Sequence, residues 1–262
     1  MRRATIFSFI ALALCFPAGA VAQQAEQPTI TIRVKAERYV DAVERISIKR
    51  EQDVFGKELE IRPLLIDKES LGLAEVFVST ERFNDQAADD EEMKSDREPT
   101  THKIAFENGD YSPRVLVAEQ GDTIRFLASR QVATNPNTRA LWHAGLPFSL
   151  AQGTGYIEGI PDHNFDKLAR VTCAIRPWPQ ANIYVMRDTH CCLTDESGEC
   201  ELPVPPNREA PIYINLSHPK LGKLEVVKAS NGVDVRRNGW LRVTAQAKEV
   251  EVTVKVPDEH ER

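Results

Sequence analysis

The sequence predicts an all-β protein. Apolar residues alternate strictly with polar ones near both ends of the chain, as at Ile30, Ile32 and Val34, and this is the pattern of half-buried strands. Clusters of Asn, Gly, Asp and Ser separate the alternating segments, for example at 107–110 and 195–198. No segment repeats at a fixed period, which argues against propellers and solenoids. The predicted fold class is therefore all-β, in one large domain or two small ones.

The elements follow from this alternation in chain order. The predicted strands cover residues 30–34, 73–79, 104–107, 115–118, 123–127, 168–175, 183–186, 212–216, 240–245 and 250–256. One short helix is predicted at 36–46, because Tyr39, Val43 and Ile46 fall on one helical face. The first strand, at residues 29–35, is expected to pair with one of the sheets formed by the later strands.

The first 22 residues predict a secretory signal peptide. Arg2 and Arg3 precede a short apolar run, and Ala20 to Ala22 form a small-x-small cleavage site. A second interpretation makes Cys15 a lipidated cysteine behind a partial lipobox, although the preceding Leu14 is large for that role. Cleavage leaves 240 residues, and no later run is long and apolar enough to form a transmembrane helix in the mature chain. The expected location is periplasmic or secreted.

The charge of the chain disfavours nucleic acid as a partner. The formal net charge is −6, and loss of the two signal arginines makes it −8, so the mature protein repels phosphate backbones. Seven acidic residues and two basic ones lie between 84 and 100, which predicts a solvated acidic linker or loop. This segment lacks the regular oxygen donors around a glycine that an EF-hand-like calcium loop needs.

Four cysteines remain after cleavage, at Cys173, Cys191, Cys192 and Cys200. An even number in an oxidising compartment favours disulfides, and four cysteines allow three pairings. Because residues 193–199 contain turn-forming residues, Cys200 is predicted to pair with Cys191 or Cys192, and the remaining pair would form through Cys173. A bridge between the adjacent Cys191 and Cys192 is disfavoured by its geometry.

The same region offers an alternative metal site. Strand alternation places His190 and Cys192 on one face, and Cys200 or His218 could complete a set of donors for Cu(I) or zinc. The spacing lacks the paired Cys-x-x-Cys knuckles of structural zinc sites, and disulfide formation competes for the same thiols. The predicted outcome is a disulfide, with no metal and no other cofactor.

From about residue 62 onward the chain resembles the cupredoxin-like proteins of the methylamine-utilisation type, in which a copper-type β sandwich runs into a carboxypeptidase-regulatory-like β module. The matching segments are 63–67, 72–78, 111–113 with Val115, Val117 and Gly121, the loop Cys173-Ala174-Ile175-Arg176-Pro177-Trp178, 193–202, and Pro205-Pro206. They occur in the same order and extend from residue 63 to residue 206, a span of well over half of the mature chain. The resemblance implies an antiparallel cupredoxin-like sandwich joined to a smaller, β-sandwich-like C-terminal module.

The family's copper-ligand positions are Thr134, Cys173, Arg176 and Pro179 by this resemblance. Type 1 copper needs two imidazoles, a thiolate and a weak axial thioether, and the guanidinium of Arg176 has no lone pair to donate. The resemblance therefore implies a degenerate site without type 1 copper. Cys173 also shares a strand face with apolar residues, which favours a buried side chain or half of a disulfide.

The long connection at 130–166 is the predicted partner surface. It carries the aromatic and imidazole side chains of Trp142, His143, Phe148, Tyr156 and His163. Side chains of this kind on a loop above a rigid sandwich are suited to binding, and the expected partner is an unknown envelope protein or glycan. The alternative is that Trp142 and Phe148 fold back and plug the end of the sandwich.

No nucleophile elbow, phosphate loop or zinc-protease helix is present, so the protein is not expected to be an enzyme. The predicted organisation is a signal peptide (1–22), an N-terminal β segment completing the sandwich (23–83), the acidic linker or loop (84–100), a cupredoxin-like core (101–189) and a carboxypeptidase-regulatory-like β module (190–262). The predicted function is a secreted or envelope binding module. A copper- or zinc-binding redox or metal-handling protein is the alternative.

Overall fold

The computed structural model describes residues 28–49, 52–80, 98–138, 150–160, 167–186, 190–204 and 209–257. The elements are β1 (Thr29–Ala36), β2 (Glu44–Ser47), α1 (Gln52–Phe55), β3 (Glu58–Ile61), β4 (Phe77–Thr80), β5 (Thr101–Glu107), β6 (Asp110–Ser112), β7 (Val115–Glu119), β8 (Thr123–Leu127), β9 (Pro136–Asn137), β10 (Gly155–Gly159), β11 (Lys167–Cys173), β12 (Gln180–Met186), β13 (Cys191–Leu193), β14 (Glu199–Pro203), β15 (Ile212–His218), β16 (Gly222–Lys223), β17 (Val226–Ala229), β18 (Val233–Val235), β19 (Leu241–Val243) and β20 (Glu249–Val254). In these ranges no helix is long and apolar enough to cross a membrane. The prediction of an all-β fold is confirmed.

The predicted signal peptide and residues 84–97 of the acidic segment lie outside the described residues.

Strands β5 to β12 form one sandwich, which we call the inserted sandwich. Its two sheets have the strand orders β10-β8-β5-β6 and β7-β12-β11-β9. Most neighbours are antiparallel, but β5 with β8 and β7 with β12 are parallel. The alternating side chains of both sheets meet in one apolar core that includes Ile104, Phe106, Phe126, Val171 and Ile183.

The remaining strands, apart from the β2–β3 ribbon, form a second sandwich, which we call the flanking sandwich. One sheet has the order β14-β1-β20-β17, with β1 and β20 parallel. The other has the order β13-β4-β15-β19-β18, with β16 paired to β15. Its core contains Ile32, Val78, Leu216, Leu241 and Val252, all buried. Strict alternation along β1 and β20 produces this core, because one face of each strand turns inward.

The inserted sandwich lies between two neighbouring strands of the flanking one. The chain leaves the flanking sandwich after β4 and returns to it in β13, and these strands pair antiparallel with Cys191 opposite Ser79 and Leu193 opposite Phe77. The two ends of the insertion are thus adjacent in space. This arrangement suits domain insertion, since a domain with neighbouring termini can interrupt a host with little distortion.

This topology differs from the division predicted from the sequence. The segment 23–83 was expected to complete the cupredoxin-like sandwich, and the C-terminal module was expected to begin at residue 190. Instead β1 pairs with β14 and β20, and β4 pairs with β13 and β15, so both strands complete the flanking sandwich. Alternation shows that a segment is a strand with one buried face, but it does not identify the partner strand.

The helix predicted at 36–46 is wrong. Strand β1 runs through Ala36, the chain bends at residues 37–38, and it then reaches β2 without forming a helix. The buried residues in this stretch are Ala36, Val40 and Ala42, which together with Leu64 and Val256 form a small apolar cluster. Their even spacing matches an extended chain with one buried side, and that burial outweighs the helical spacing of Tyr39, Val43 and Ile46.

The two sandwiches pack against each other through a buried, largely apolar contact. The rings of Phe77 and Tyr184 are stacked, with centroids 4.0 Å apart and planes inclined by 8°. Val115 and Met186 complete this buried cluster. Phe77 belongs to β4 and Tyr184 to β12, so the contact joins one sheet of each sandwich.

A disulfide joins the two sheets of the flanking sandwich. Cys192 on β13 is bonded to Cys200 on β14, with Cα atoms 5.9 Å apart. The prediction that Cys200 pairs with Cys191 or Cys192 is therefore confirmed for Cys192. Cys173 and Cys191 are thiols, contrary to the pairing expected through Cys173, because they lie in different apolar clusters.

Gly72 packs closely against Gly198, which lies in the turn between Cys192 and Cys200. A Cβ on Gly72 would lie 1.9 Å from the carbonyl oxygen of Ser197, and one on Gly198 would lie 2.5 Å from the carbonyl oxygen of Val34. Gly198 also has a φ of +79°, in the left-handed region. The closeness lets the Gly198 carbonyl accept a 2.9 Å hydrogen bond from the Val34 N–H, which ties the turn to β1.

Candidate functional site

Two of the four predicted ligand positions are in contact at one end of the inserted sandwich. Thr134 lies just before β9 and is fully buried, and Cys173 ends β11 with 6% of its surface exposed. The Thr134 Oγ1 and Cys173 Sγ atoms are 3.6 Å apart. Pairing of β11 with β9, which places Cys173 opposite Pro136, brings the two residues together.

The Cys173 sulfur is surrounded by hydrogen-bond donors. They are the backbone N–H groups of Asn135, Ile175 and Arg176 and the hydroxyl of Thr134. Burial alone raises the pKa of the Cys173 thiol, but these hydrogen bonds outweigh it, so the pKa is lower than usual. The site therefore favours the thiolate of Cys173 more than an ordinary cysteine environment does.

Arg176 occupies the same end of the sandwich and is 2% exposed. Its Nη1 donates a 2.7 Å hydrogen bond to the carbonyl oxygen of Ala133, the residue before Thr134. The guanidinium carbon lies 5.2 Å from the ring centroid of Phe106 and 5.5 Å from that of Phe55. Both distances are within the range of cation–π attraction. The positive charge is therefore held inside an aromatic pocket beside Thr134.

Phe55 comes from α1, which precedes the inserted sandwich in the chain. Its ring packs edge-on against Phe106, with centroids 6.1 Å apart. Phe106 in turn packs edge-on against Tyr111, whose hydroxyl is 3.2 Å from Thr134 Oγ1. Burial raises the pKa of Tyr111 above its ordinary value, so the hydroxyl stays protonated. These rings close the end of the sandwich around Arg176.

The loop after Cys173 is fixed by Trp178. The Trp178 Nε1–H donates a 2.8 Å hydrogen bond to the carbonyl oxygen of Gly109, and Pro179 is buried. The loop therefore has a defined shape without any metal ligand.

The four residues do not fit type 1 copper. Thr134 and Pro179 provide neither imidazole nor thioether, and the guanidinium of Arg176 has no lone pair. Only Cys173 is a suitable donor. Thr134, Cys173 and Arg176 instead belong to a hydrogen-bonded cluster, in which the rings of Phe55 and Phe106 lie against a buried cation.

The alternative donors do not form a cluster either. Cys192 and Cys200 are bonded to each other, so in this oxidised form neither thiol is available to a metal. Within the described ranges, no group of three or more His, Cys, Asp or Glu side chains is arranged to hold a metal ion.

The predicted partner surface is described only at Tyr156. This residue lies on β10 opposite Phe126 of β8 and is 39% exposed. Trp142, His143, Phe148 and His163 lie outside the described residues, and their role stays a prediction.

Sequence reasoning missed a polar junction between the two sandwiches. Arg114, just before β7, forms a bidentate ion pair with Glu75, with its Nη2 3.0 Å from both carboxylate oxygens. Its Nη1 also donates to the carbonyl oxygen of Arg62. Burial raises the pKa of Glu75, while Arg114 opposes that change. The two residues are far apart in the chain, and no local motif marks them.

No protein-family model matches the chain, and no curated protein is similar enough to match it. Among solved structures it is similar to a Cu-containing nitrite reductase from Thermus scotoductus SA-01, with 19% identity over 34% of this chain and a TM-score of 0.28. The chain spans about a quarter of that protein, 23% of its length. A reduced amicyanin variant is 14% identical over 34% of this chain and 86% of its own, with a TM-score of 0.30. An oxidised amicyanin variant is 16% identical over 32% and 80%, with a TM-score of 0.29.

Proposed function

We propose that this protein is a non-catalytic binding module of the periplasm or the extracellular space, built on a cupredoxin-like scaffold that no longer takes type 1 copper. The observation that carries the proposal is the buried guanidinium of Arg176, at a position where the resembling family has a copper-binding histidine. A fixed cation there opposes any metal ion in the same space. Without type 1 copper, the role that we assign to the scaffold is the binding of a partner.

The contacts of Arg176 indicate that its guanidinium stays in this position permanently. Its hydrogen bond to Ala133 and its two aromatic neighbours compensate a charge that would otherwise be costly to bury. Moving the guanidinium away to admit copper would break these contacts and expose the rings of Phe55 and Phe106. Cys173 alone would then face the metal, and one thiolate does not form a type 1 site.

Metal analysis of the purified protein, followed by copper titration, tests the absence of copper. We expect no intense visible absorption band from wild type under oxidising conditions. The triple variant Thr134→His, Arg176→His, Pro179→Met restores the donor types and is the positive control for the assay. An intense band from wild type would refute the proposal.

The same purified protein also tests the alternative function, which is metal handling. That role is assigned to His190, Cys191, Cys192, Cys200 or the loop histidines, and the disulfide occupies two of these thiols, those of Cys192 and Cys200. Tight, stoichiometric zinc or colourless Cu(I) that binds only after reduction, and is lost in a Cys192→Ser variant, would favour it.

The binding role itself is tested at the loop 130–166. We expect Trp142→Ala to reduce capture of envelope components by the immobilised protein without lowering the melting temperature. A large loss of stability with unchanged capture would mean that Trp142 plugs the sandwich end.

A further inference from the structure

A cleft opens where the two sandwiches meet the β2–β3 ribbon. Its volume is about 210 Å³, and the side chains that matter for its chemistry are Glu75, Arg114, Trp178, Asn182, His218 and Lys220. Pockets for drug-sized ligands are usually about 300 to 1,000 Å³. This cleft, which we call the junction cleft, therefore suits a compact ligand or one unit of a longer chain.

Two residues that line the cleft each have a buried polar atom without a hydrogen-bond partner among the described residues. The Nδ1 atom of His218 accepts a 3.1 Å hydrogen bond from the Lys220 N–H, so the ring proton of the neutral imidazole is on Nε2. This Nε2 and the Oδ1 of Asn182 are both buried and form no hydrogen bond with the described residues. Buried polar groups are nearly always satisfied, so an unsatisfied donor and acceptor in one cleft wall require an explanation.

The charges in the cleft disfavour an anionic ligand. Arg114 already pairs with Glu75, and the Nζ of Lys220 is 2.9 Å from the Glu44 carboxylate. Neither cation is left to neutralise a phosphate or carboxylate. A ligand that matches one donor and one acceptor, without charge, carries hydroxyl or amide groups.

Part of the wall is aromatic and aliphatic, although Glu44, Asp110 and Gln180 also line it. Trp178 contributes an indole ring held in place by its hydrogen bond to Gly109, and Pro63, Pro177 and Pro219 line the same cleft. A pyranose ring presents an apolar C–H face and an edge of hydroxyls, which matches such a wall. Proline has no backbone N–H, so these residues offer no donor to a peptide that would add as a strand.

We propose that the junction cleft binds one saccharide unit of a glycan, with a hydroxyl or acetamido group of the sugar bonded to the Nε2–H of His218 and the Oδ1 of Asn182. This inference rests on the proposed function in that it treats the protein as a binding module, and it specifies the ligand class. Thr134, Cys173 and Arg176 do not line the cleft, although Pro177 and Trp178 of the adjacent loop do.

The test is titration calorimetry of the full, disulfide-bonded protein with two probes, maltotriose and N,N′,N″-triacetylchitotriose. We expect saturable binding of at least one. Binding of both assigns the contact to hydroxyls, and binding of the second alone assigns it to the acetamido group. Absence of binding for both at millimolar concentration overturns the inference.

Variants separate a binding role from a structural one. Asn182→Leu and His218→Phe should weaken sugar binding by about tenfold or more. The melting temperature of Asn182→Leu should be unchanged or higher, because an apolar side chain replaces one with an unsatisfied buried oxygen. His218→Phe also loses the hydrogen bond from the Lys220 N–H, so its melting temperature should fall slightly. Asn215→Leu is the matched control, since its Oδ1 is also buried without a partner on β15 but the residue does not line the cleft. Wild-type affinity in Asn182→Leu would refute the assignment.

Failure here is distinguishable from failure of the proposed function. A type 1 band in the copper titration refutes the proposed function whatever the sugars do. Lack of sugar binding in a protein that takes no copper refutes only the cleft assignment, and so does binding of an extended peptide in its place.

Discussion

Acid should destabilise the protein through one histidine, His218. This side chain is 1% exposed, and burial, followed by the nearby charge of Arg114, lowers its pKa from 6.5 to about 4. Its Nδ1 accepts a hydrogen bond from the Lys220 N–H, and protonation would place two N–H groups against each other. The folded state therefore requires the neutral imidazole.

The sign and size of the effect follow from linkage. Because the pKa is lower in the folded state, the unfolded state binds the proton first, and stability falls as the pH drops from 6.5 towards 4. A shift from 6.5 to about 4 corresponds to about 3 kcal/mol at 1.36 kcal/mol per unit. All of this contribution is present above pH 6.5, and it is lost below the folded-state value.

Urea unfolding of wild type and His218→Gln between pH 7 and pH 4 measures this contribution. Carboxylates titrate in both proteins, so the informative quantity is the difference between their free energies of unfolding at each pH. We expect this difference to shift by about 3 kcal/mol in favour of the variant as the pH falls. Parallel pH profiles for the two proteins would refute the reasoning.

Two further predictions concern the flanking sandwich. Gly198→Ala should cost about 3 to 5 kcal/mol, since the left-handed φ and a clash with backbone atoms both act there, whereas Gly222→Ala, with a similar φ and open space, should cost only about 1 to 2 kcal/mol. Equal losses in thermal unfolding would contradict this. Replacing Cys192 and Cys200 by serine should lower stability by about 2.5 kcal/mol through the closed loop, and an unchanged urea midpoint would argue against it.

The long alternating strands could be predicted from the sequence, and their partners could not. Alternation at 30–34 and 250–256 identified β1 and β20, because each strand has a complete buried face. Their parallel pairing joins residues such as Thr31 and Glu249, which are 218 positions apart. Strands of two to four residues, such as β2, β9 and β16, were missed because so few residues show no period.

The candidate site could also be predicted only in part. The resemblance placed Thr134 and Cys173 at related positions, and the structure brings them into contact. It gave no indication that Phe55 would cover Arg176, because α1 lies far from the loop in the chain. The junction cleft escaped detection since its residues come from separate segments that only the packed fold brings together.

The insertion also determines how the protein responds to mechanical tension. Strands β1 and β20 are adjacent and parallel, so a force between residues 28 and 257 pulls them along each other, and the pairs from Thr31–Glu249 to Ala36–Val254 share the load. The inserted sandwich starts and ends at the paired strands β4 and β13, with Ser79 opposite Cys191. It therefore lies outside the path of the force. Under tension the flanking sandwich would yield by shear before the inserted sandwich is strained.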